Sequence, residues 1–285
     1  MKILYVNSNE ILKNAKLNKY GIGAFNVHCL EMLPSMVKSG IIKNAPVILQ
    51  ISNGTAEYIG MKLLVNSMKT LVEDTNLPFV LHLDHTKDFE MIKKAIDAGF
   101  TSVMIDGSSL SLSENIELTK RVVEYAHSKN VSVEGELGTI GGTEEGISVH
   151  EDDIMYTRPE DAQKFLKETN VDALAIAIGT SHGQYKSKAK LNFEVLKKIN
   201  EISDKPLVLH GGTGVSDVDI KTCITNGISK INVGTEVNIA WIREAKIQFE
   251  KSKLEDSLRD IIIPCNNKVE DVLINKITLF ESRVG

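Results

Sequence analysis

A chain of 285 residues, 42% of them hydrophobic and 25% charged, has an ordinary globular balance and the length to bury a full core, which excludes disordered and fibrous classes. Thirty-three basic against 38 acidic residues give a formal charge of -5, so no global positive field exists to draw nucleic acid or anionic lipid. No apolar run approaches the roughly 18 residues of a membrane span and no secretory leader is read at the start, so a cytoplasmic protein without membrane or nucleic-acid partners is expected. Cys29, Cys223 and Cys265 are odd in number and far apart, which points to reduced, mostly buried thiols rather than a disulfide framework.

Eight short apolar runs rich in Val and Ile begin near Tyr20, Pro46, Pro78, Ser102, Val131, Ala173, Pro206 and Lys230 and alternate with longer amphipathic stretches. That alternation is the mark of βα units around a parallel sheet. Successive starts lie 24 to 33 residues apart except for the 42 between Val131 and Ala173, which places an extra segment after the fifth strand, from Gly138 to Asp153. The runs Pro46-Val-Ile-Leu-Gln50, Pro78-Phe-Val-Leu-His82 and Pro206-Leu-Val-Leu-His210 are near copies, each opening on a Pro that the first residue of a strand tolerates. Gly99 and Gly227 read as helix C-terminal caps and Thr157-Arg-Pro-Glu160 as a capping box. With no low-complexity linker and no Gly-rich dinucleotide fingerprint, the pattern predicts one α/β domain over 1–285. It is a (β/α)8 TIM barrel with an extended catalytic loop near 138–153 and a C-terminal helical extension.

Chemistry in such a barrel sits at the C-terminal ends of the strands. Those ends carry Asn26 and His28, Ser52 and Asn53, His82, Asp84 and His85, Asp106 to Ser108, and Glu134 and Glu136. The last three strands end in Gly179-Thr-Ser-His-Gly183, His210-Gly-Gly-Thr-Gly214 and Asn232-Val-Gly-Thr235. His182, His210 and one of His82 or His85 would make a three-imidazole metal site with an open position, with Asp106 and Glu136 as further ligands or supporting carboxylates. Periodicity leaves the choice between His82 and His85 open, since residues three apart face opposite sides if the strand runs through both. His28, His127 and His150 are assigned to surface or structure. Glycines in three adjacent loops, Gly183, Gly211, Gly212, Gly214 and Gly234, would let backbone N–H groups approach a phosphate.

These residues carry a family likeness nearly from end to end. Gly23-Ala-Phe-Asn-Val27, His82-Leu-Asp-His85, Val103-Met-Ile-Asp-Gly107, Val133-Glu-Gly-Glu-Leu-Gly138, Gly141-Gly-Thr-Glu-Glu145, Ile178-Gly-Thr-Ser-His-Gly183, Leu207-Val-Leu-His-Gly211 and Asn232-Val-Gly-Thr235 stand in order and at matching spacing. The chain resembles the class II, zinc-dependent ketose-bisphosphate aldolases, among them the fructose-bisphosphate and tagatose-bisphosphate enzymes. The resemblance implies His85, His182 and His210 as zinc ligands, His82 as structural, and Asp106 and Glu136 at an alternative metal position. It implies Asp84 as proton donor to the aldehyde oxygen and Glu144, in the extra loop, as the mobile carboxylate base. Contacts to dihydroxyacetone phosphate fall on Gly183, Gly211, Gly212, Thr213, Asn232, Val233, Gly234 and Thr235, with Asn26 and Ser52 lining the same pocket. A monovalent cation near the phosphate, and a homodimer or homotetramer, are further implications.

The implied chemistry explains the residue types: carbon–carbon bond formation needs a Lewis acid for developing enediolate charge, a base for the C3 proton and an acid for the new alkoxide. The lysine-dependent alternative has weak candidates, since Lys230 lies at the wrong end of the eighth strand and Lys87 just past His85. A catalytically silent phosphosugar-binding barrel, or a zinc-dependent sugar-phosphate epimerase or hydrolase, are the alternative readings of the same residues. The chain departs from fructose-bisphosphate members at Gly234, where Asp is common, at Asn238, where a basic residue is common, and at Thr86-Lys-Asp88, where Gly-x-Ser often follows the ligand His. A phosphorylated ketose, fructose or tagatose 1,6-bisphosphate or a related sugar, is the expected substrate.

Overall fold

The computed structural model describes residues 5–144, 147–149, 156–183 and 189–284, with the side chains of 141–144, 147–149 and His182 outside that description. Eight parallel strands close into a barrel. They are β1 (Ile22–Asn26), β2 (Val47–Ile51), β3 (Phe79–Thr86), β4 (Ser102–Ile105), β5 (Ser132–Leu137), β8 (Ala173–Ile176), β10 (Leu207–Leu209) and β11 (Ile228–Val233). Each neighbours the next in chain order, and β11 returns to pair with β1. The predicted (β/α)8 fold is therefore the observed one.

The strands are buried on both faces, and their alternation separates two cores. Phe25, Leu49, Leu81, Val103, Ile231 and Val233 join the outer cluster beneath the helices. Ile22, Ala24, Ile48, Val80, Ala173, Ala175 and Val208 form a separate inner cluster with Ile11, Leu12 and Ala15 of α1 (Asn9–Asn18). A helix ahead of β1 thus closes the N-terminal mouth with apolar residues, and the polar residues of the interior are left to the other end.

Helices α2 (Leu33–Lys43), α3 (Asn53–Ile59), α4 (Met61–Val72), α5 (Phe89–Ala98), α6 (Leu112–Ser128), α7 (Pro159–Thr169), α8 (Phe193–Ile202) and α9 (Asp217–Thr225) separate the barrel strands, and α10 (Thr235–Lys251) and α11 (Leu258–Leu279) follow the last of them. Gly99 caps α5 in the left-handed region as the sequence predicts. The capping box is not at Thr157: Arg158 is the N-cap of α7, and Thr157 Oγ1 instead donates to the carbonyl of Leu137 at 2.5 Å and accepts from Ala177 N at 2.8 Å. Burial between two strands makes those bonds the better use of the hydroxyl. A reciprocal capping box stands at Ser111 and Glu114 instead.

The extra segment after β5 forms β6 (Gly141–Glu144) antiparallel to β7 (Ile147–Val149), and β6 also pairs with β9 (Ser181–His182). The register sets Gly142 opposite His182, so the loop expected to carry the base and the loop expected to carry a ligand share one small sheet.

Candidate metal centre and active site

The β3 strand ends in a break of register. Its pairing with β4 shifts between Leu83 and Thr86, and His85 sits at φ 44°, in the left-handed region that few non-glycine residues adopt. The bulge undoes the parity rule, so consecutive residues Asp84 and His85 both serve the interior mouth. His82, two residues before Asp84, points inward as well, where its Nδ1 lies 2.8 Å from Ser102 Oγ. The choice left open by periodicity is decided by this bulge: His85 reaches the mouth and His82 stays on the floor below.

His85, Glu136 and His210 bring one ligand atom each within 4.8 Å of one another. The rings of His85 and His210 meet edge to face with centroids 4.5 Å apart, and His85 Nδ1 lies 3.8 Å from Glu136 Oε2 and 4.0 Å from Asp106 Oδ2. Burial, then the nearby His85, pushes the His210 imidazole down to about 3, so it is neutral at ordinary pH, the form in which a histidine binds metal. Two imidazoles and a carboxylate at this separation fit a zinc-type ion, which commonly takes four ligands. Asp106 Oδ1 accepts from Ser108 N and Oγ at 3.0 and 2.6 Å, while Oδ2 lies 3.8 Å from Lys87 Nζ. Burial opposes ionisation there, but the Ser108 bonds and His85 hold the carboxyl below its usual range.

Asp84 is 1% exposed and ends a chain of hydrogen bonds across three strands. Gln50 Nε2 donates to Asn26 Oδ1 at 2.8 Å, and Asn26 Nδ2 donates to Asp84 Oδ2 at 3.2 Å. Gly234 lies against this chain, where a Cβ would come within 2.4 Å of Asn26 Oδ1. Ser52 is committed to the start of α3, its Oγ accepting from Thr55 N at 3.4 Å. Thr86 Oγ1 donates to Asn53 Oδ1 beside it.

The glycine loops are packed too closely for side chains. Gly211, at φ 66°, would place a Cβ 2.4 Å from the carbonyl oxygen of Ser181, and Gly212 N donates to Asn232 O at 3.1 Å. Gly234 precedes Thr235 at the first turn of α10, and Thr213 Oγ1 accepts from Glu236 N at 3.4 Å, tying the β10 loop to that helix end. The side chain of Val233 is buried in the outer core, so only its backbone faces this region. Gly183 turns the chain at φ 87° after β9. The side chains of Glu144 and His182, and all of His150, lie outside the described residues.

Two residues that the strand-end reading named but gave no site role, Glu134 and Lys230, are central to the interior. Glu134 Oε1 lies 2.8 Å from His210 Nε2, and Glu134 Oε2 lies 2.8 Å from Lys230 Nζ. Their inward direction was available from the two-residue period, since Glu134 precedes Glu136 and Lys230 precedes Asn232 by two. Lys230 stands in the first half of β11, before the C-terminal mouth, and is ion-paired with Glu134, which disfavours it as an amine nucleophile.

A histidine and carboxylate cluster in the C-terminal mouth of an eight-stranded βα barrel points to a class: a barrel enzyme with a candidate metal site. The family model described as fructose-bisphosphate aldolase class-II matches residues 6–284. The fructose-bisphosphate aldolase of Geobacillus stearothermophilus is 42% identical over 280 residues, covering 97% of each chain, and that of Staphylococcus aureus strain Mu50 is 42% identical over 278, covering 96% of each. The structure of the YdjI aldolase from Escherichia coli K12 superposes with a TM-score of 0.86 at 32% identity, covering 98% of both chains. The chain belongs to the class II fructose-bisphosphate aldolase family, and it is an aldolase, a lyase of carbohydrate metabolism. Among the described residues, no helix is long and apolar enough to cross a membrane.

Proposed function

We propose that this aldolase uses zinc to cleave a ketose 1,6-bisphosphate reversibly into dihydroxyacetone phosphate and an aldehyde, acting as a cytoplasmic homodimer or homotetramer. The observation that carries the reading is the convergence of His85, Glu136 and His210 beside the hydrogen-bonded Asp84. His85, His210 and His182 would hold the metal, with Glu136 and Asp106, 3.8 and 4.0 Å from His85 Nδ1, as further carboxylates that could ligate it. When bound, the metal supplies a Lewis acid for the negative charge that develops at the ketone oxygen. Asp84, oriented by Asn26, takes the proton from the hydroxyl of the bond being broken and returns it to the aldehyde oxygen in the reverse direction. Glu144 moves the C3 proton from its position in the loop that carries β6, so substrate enters before the loop covers it. The phosphate of the dihydroxyacetone half is held by backbone N–H groups of Gly183, Gly211 and Thr213 and by Asn232 to Thr235 at the start of α10, with Gly212 giving close approach while its own N–H is bonded to Asn232 O.

Gly234 bears on which ketose is cleaved. The close approach of Asn26 leaves no room for the carboxylate common at this position in fructose-bisphosphate members, which removes one acceptor able to enforce hydroxyl stereochemistry. The reading therefore includes cleavage of tagatose 1,6-bisphosphate at least as well as of the fructose compound. Measuring kcat/KM for both bisphosphates tests it. A fructose preference of about a thousandfold or more, equivalent to about 4 kcal/mol, rules out the relaxed pocket. Failure of zinc-loaded protein to cleave either compound rules out the substrate class.

A further inference from the structure

Beneath the metal cluster lies a buried charge pair that the aldolase reaction does not itself use. Glu134 is 3% exposed, Lys230 1% and His210 0%, and they form a line across β5, β10 and β11. Isolating either charge in this interior would be strongly unfavourable, and replacing such a pair by uncharged side chains of like volume is often neutral for folding. A pair whose only purpose was stability would therefore have little reason to be ionic. Its shortest further contact among the described residues is with the imidazole of His210, whose Nε2 faces Glu134 at 2.8 Å and whose Nδ1 faces Glu136 Oε2 at 3.5 Å.

That arrangement assigns the two edges of the ring. An ionised Glu134 has no proton to give, so the bond needs the hydrogen on His210 Nε2, and the lone pair is left on Nδ1, the edge turned toward the cluster. Lys230 Nζ, 2.8 Å from Glu134 Oε2, is the cation that pairs with this carboxylate while its other oxygen meets His210. His82 stands at the same carboxylate, but its Nε2 is 3.9 Å from Glu134 Oε2, beyond hydrogen-bond distance, and its Nδ1 is taken up by Ser102 Oγ at 2.8 Å.

We propose that Lys230 and Glu134 act as a positioning couple that fixes the His210 ring and its proton, presents Nδ1 to the metal and raises its basicity as a ligand. The inference rests on the reading of His210 as a ligand. Carboxylates that hold ligating histidines in this way typically change metal affinity by about 10- to 100-fold when removed. The sequence gives no hint of the couple, since Glu134 and Lys230 are 96 positions apart and meet only because the barrel closes.

The test is the dissociation constant of zinc, measured by competition with a chromophoric chelator, alongside the thermal midpoint of the metal-free protein. The E134Q/K230M variant removes both charges while keeping volume and an acceptor for His210. Glu134→Asp keeps the charge but shortens its reach, and serves if the double variant does not fold. Leu64→Ala opens a cavity in the outer core at α4 and reports the effect of lost stability alone. Either Glu134 variant is expected to bind zinc about 10- to 100-fold more weakly than wild type, with an altered visible spectrum of the cobalt-substituted protein, while Leu64→Ala keeps wild-type affinity at a lowered midpoint. Wild-type zinc affinity in a folded Glu134 variant overturns the couple. His210→Ala separates the two levels: if it too binds zinc as wild type does, the ligand assignment is what fails.

Discussion

Replacing Gly234 with Ala probes how the proton-donating Asp84 is held. The new Cβ would sit 2.4 Å from Asn26 Oδ1 and 2.9 Å from its Cγ, inside any tolerable contact, so the Asn26 side chain must move. Asn26 is 7% exposed and joins Gln50 to Asp84 through bonds of 2.8 and 3.2 Å, so moving it breaks both. At about 1 kcal/mol for each hydrogen bond the loss is about 2 kcal/mol, or roughly 30-fold in kcat/KM if all of it is expressed in the transition state. Removing Asn26 first abolishes the clash. Gly234→Ala in an Asn26→Ala background should then have almost no further effect, giving a coupling of about 2 kcal/mol in a double-mutant cycle. The assay is steady-state cleavage with zinc at saturation, with thermal midpoints to confirm folding. Losses that multiply, so that the double variant carries the full product of the two single defects, would refute the steric link between Gly234 and Asp84.

Chelation should abolish turnover and zinc restore it, and His210→Ala should lose activity at metal concentrations that saturate wild type; full turnover in protein shown metal-free by elemental analysis would contradict the metal assignment. Glu144→Ala should lose solvent exchange of the C3 proton of dihydroxyacetone phosphate, whereas Asp84→Ala should keep exchange and lose carbon–carbon cleavage; wild-type exchange in both variants would show the two roles to be misassigned. Acid should destabilise the metal-free protein. His82 and His210 are held below the ordinary value of 6.5, so the unfolded chain binds more protons than the folded one once pH falls through 6.5, and stability is lost from there toward about 3. Each contributes up to about 1.4 kcal/mol per pH unit, and Glu134, held low in the folded state, adds a loss in the same direction below its ordinary 4.5. Denaturant midpoints that stay constant from pH 7.5 to 5 would show that these groups are not buried as described.

The rhythm of eight βα units is written in local patterning, because each strand buried on both faces must read as a short apolar run and each covering helix as an amphipathic one. Strand ends could be read the same way, and Asp84, Asp106, Glu136 and His210 all lie at the mouth where barrel chemistry belongs. The parity of His82 and His85 could not be read, since a bulge with His85 at positive φ is a response to pairing with β4 and leaves no local signal. Thr157 misled for a related reason: a helix-capping motif is local, but its hydroxyl is claimed by Leu137, the last residue of β5, and Ala177, the residue after β8, which only folding brings near. The α1 plug, the Gln50–Asn26–Asp84 chain and the Lys230–Glu134–His210 line belong wholly to tertiary structure. Sequence periodicity determines which face a side chain takes, whereas which side chains meet across a closed barrel depends on strand order and register, and those are set by long-range pairing energies that no window of the chain contains.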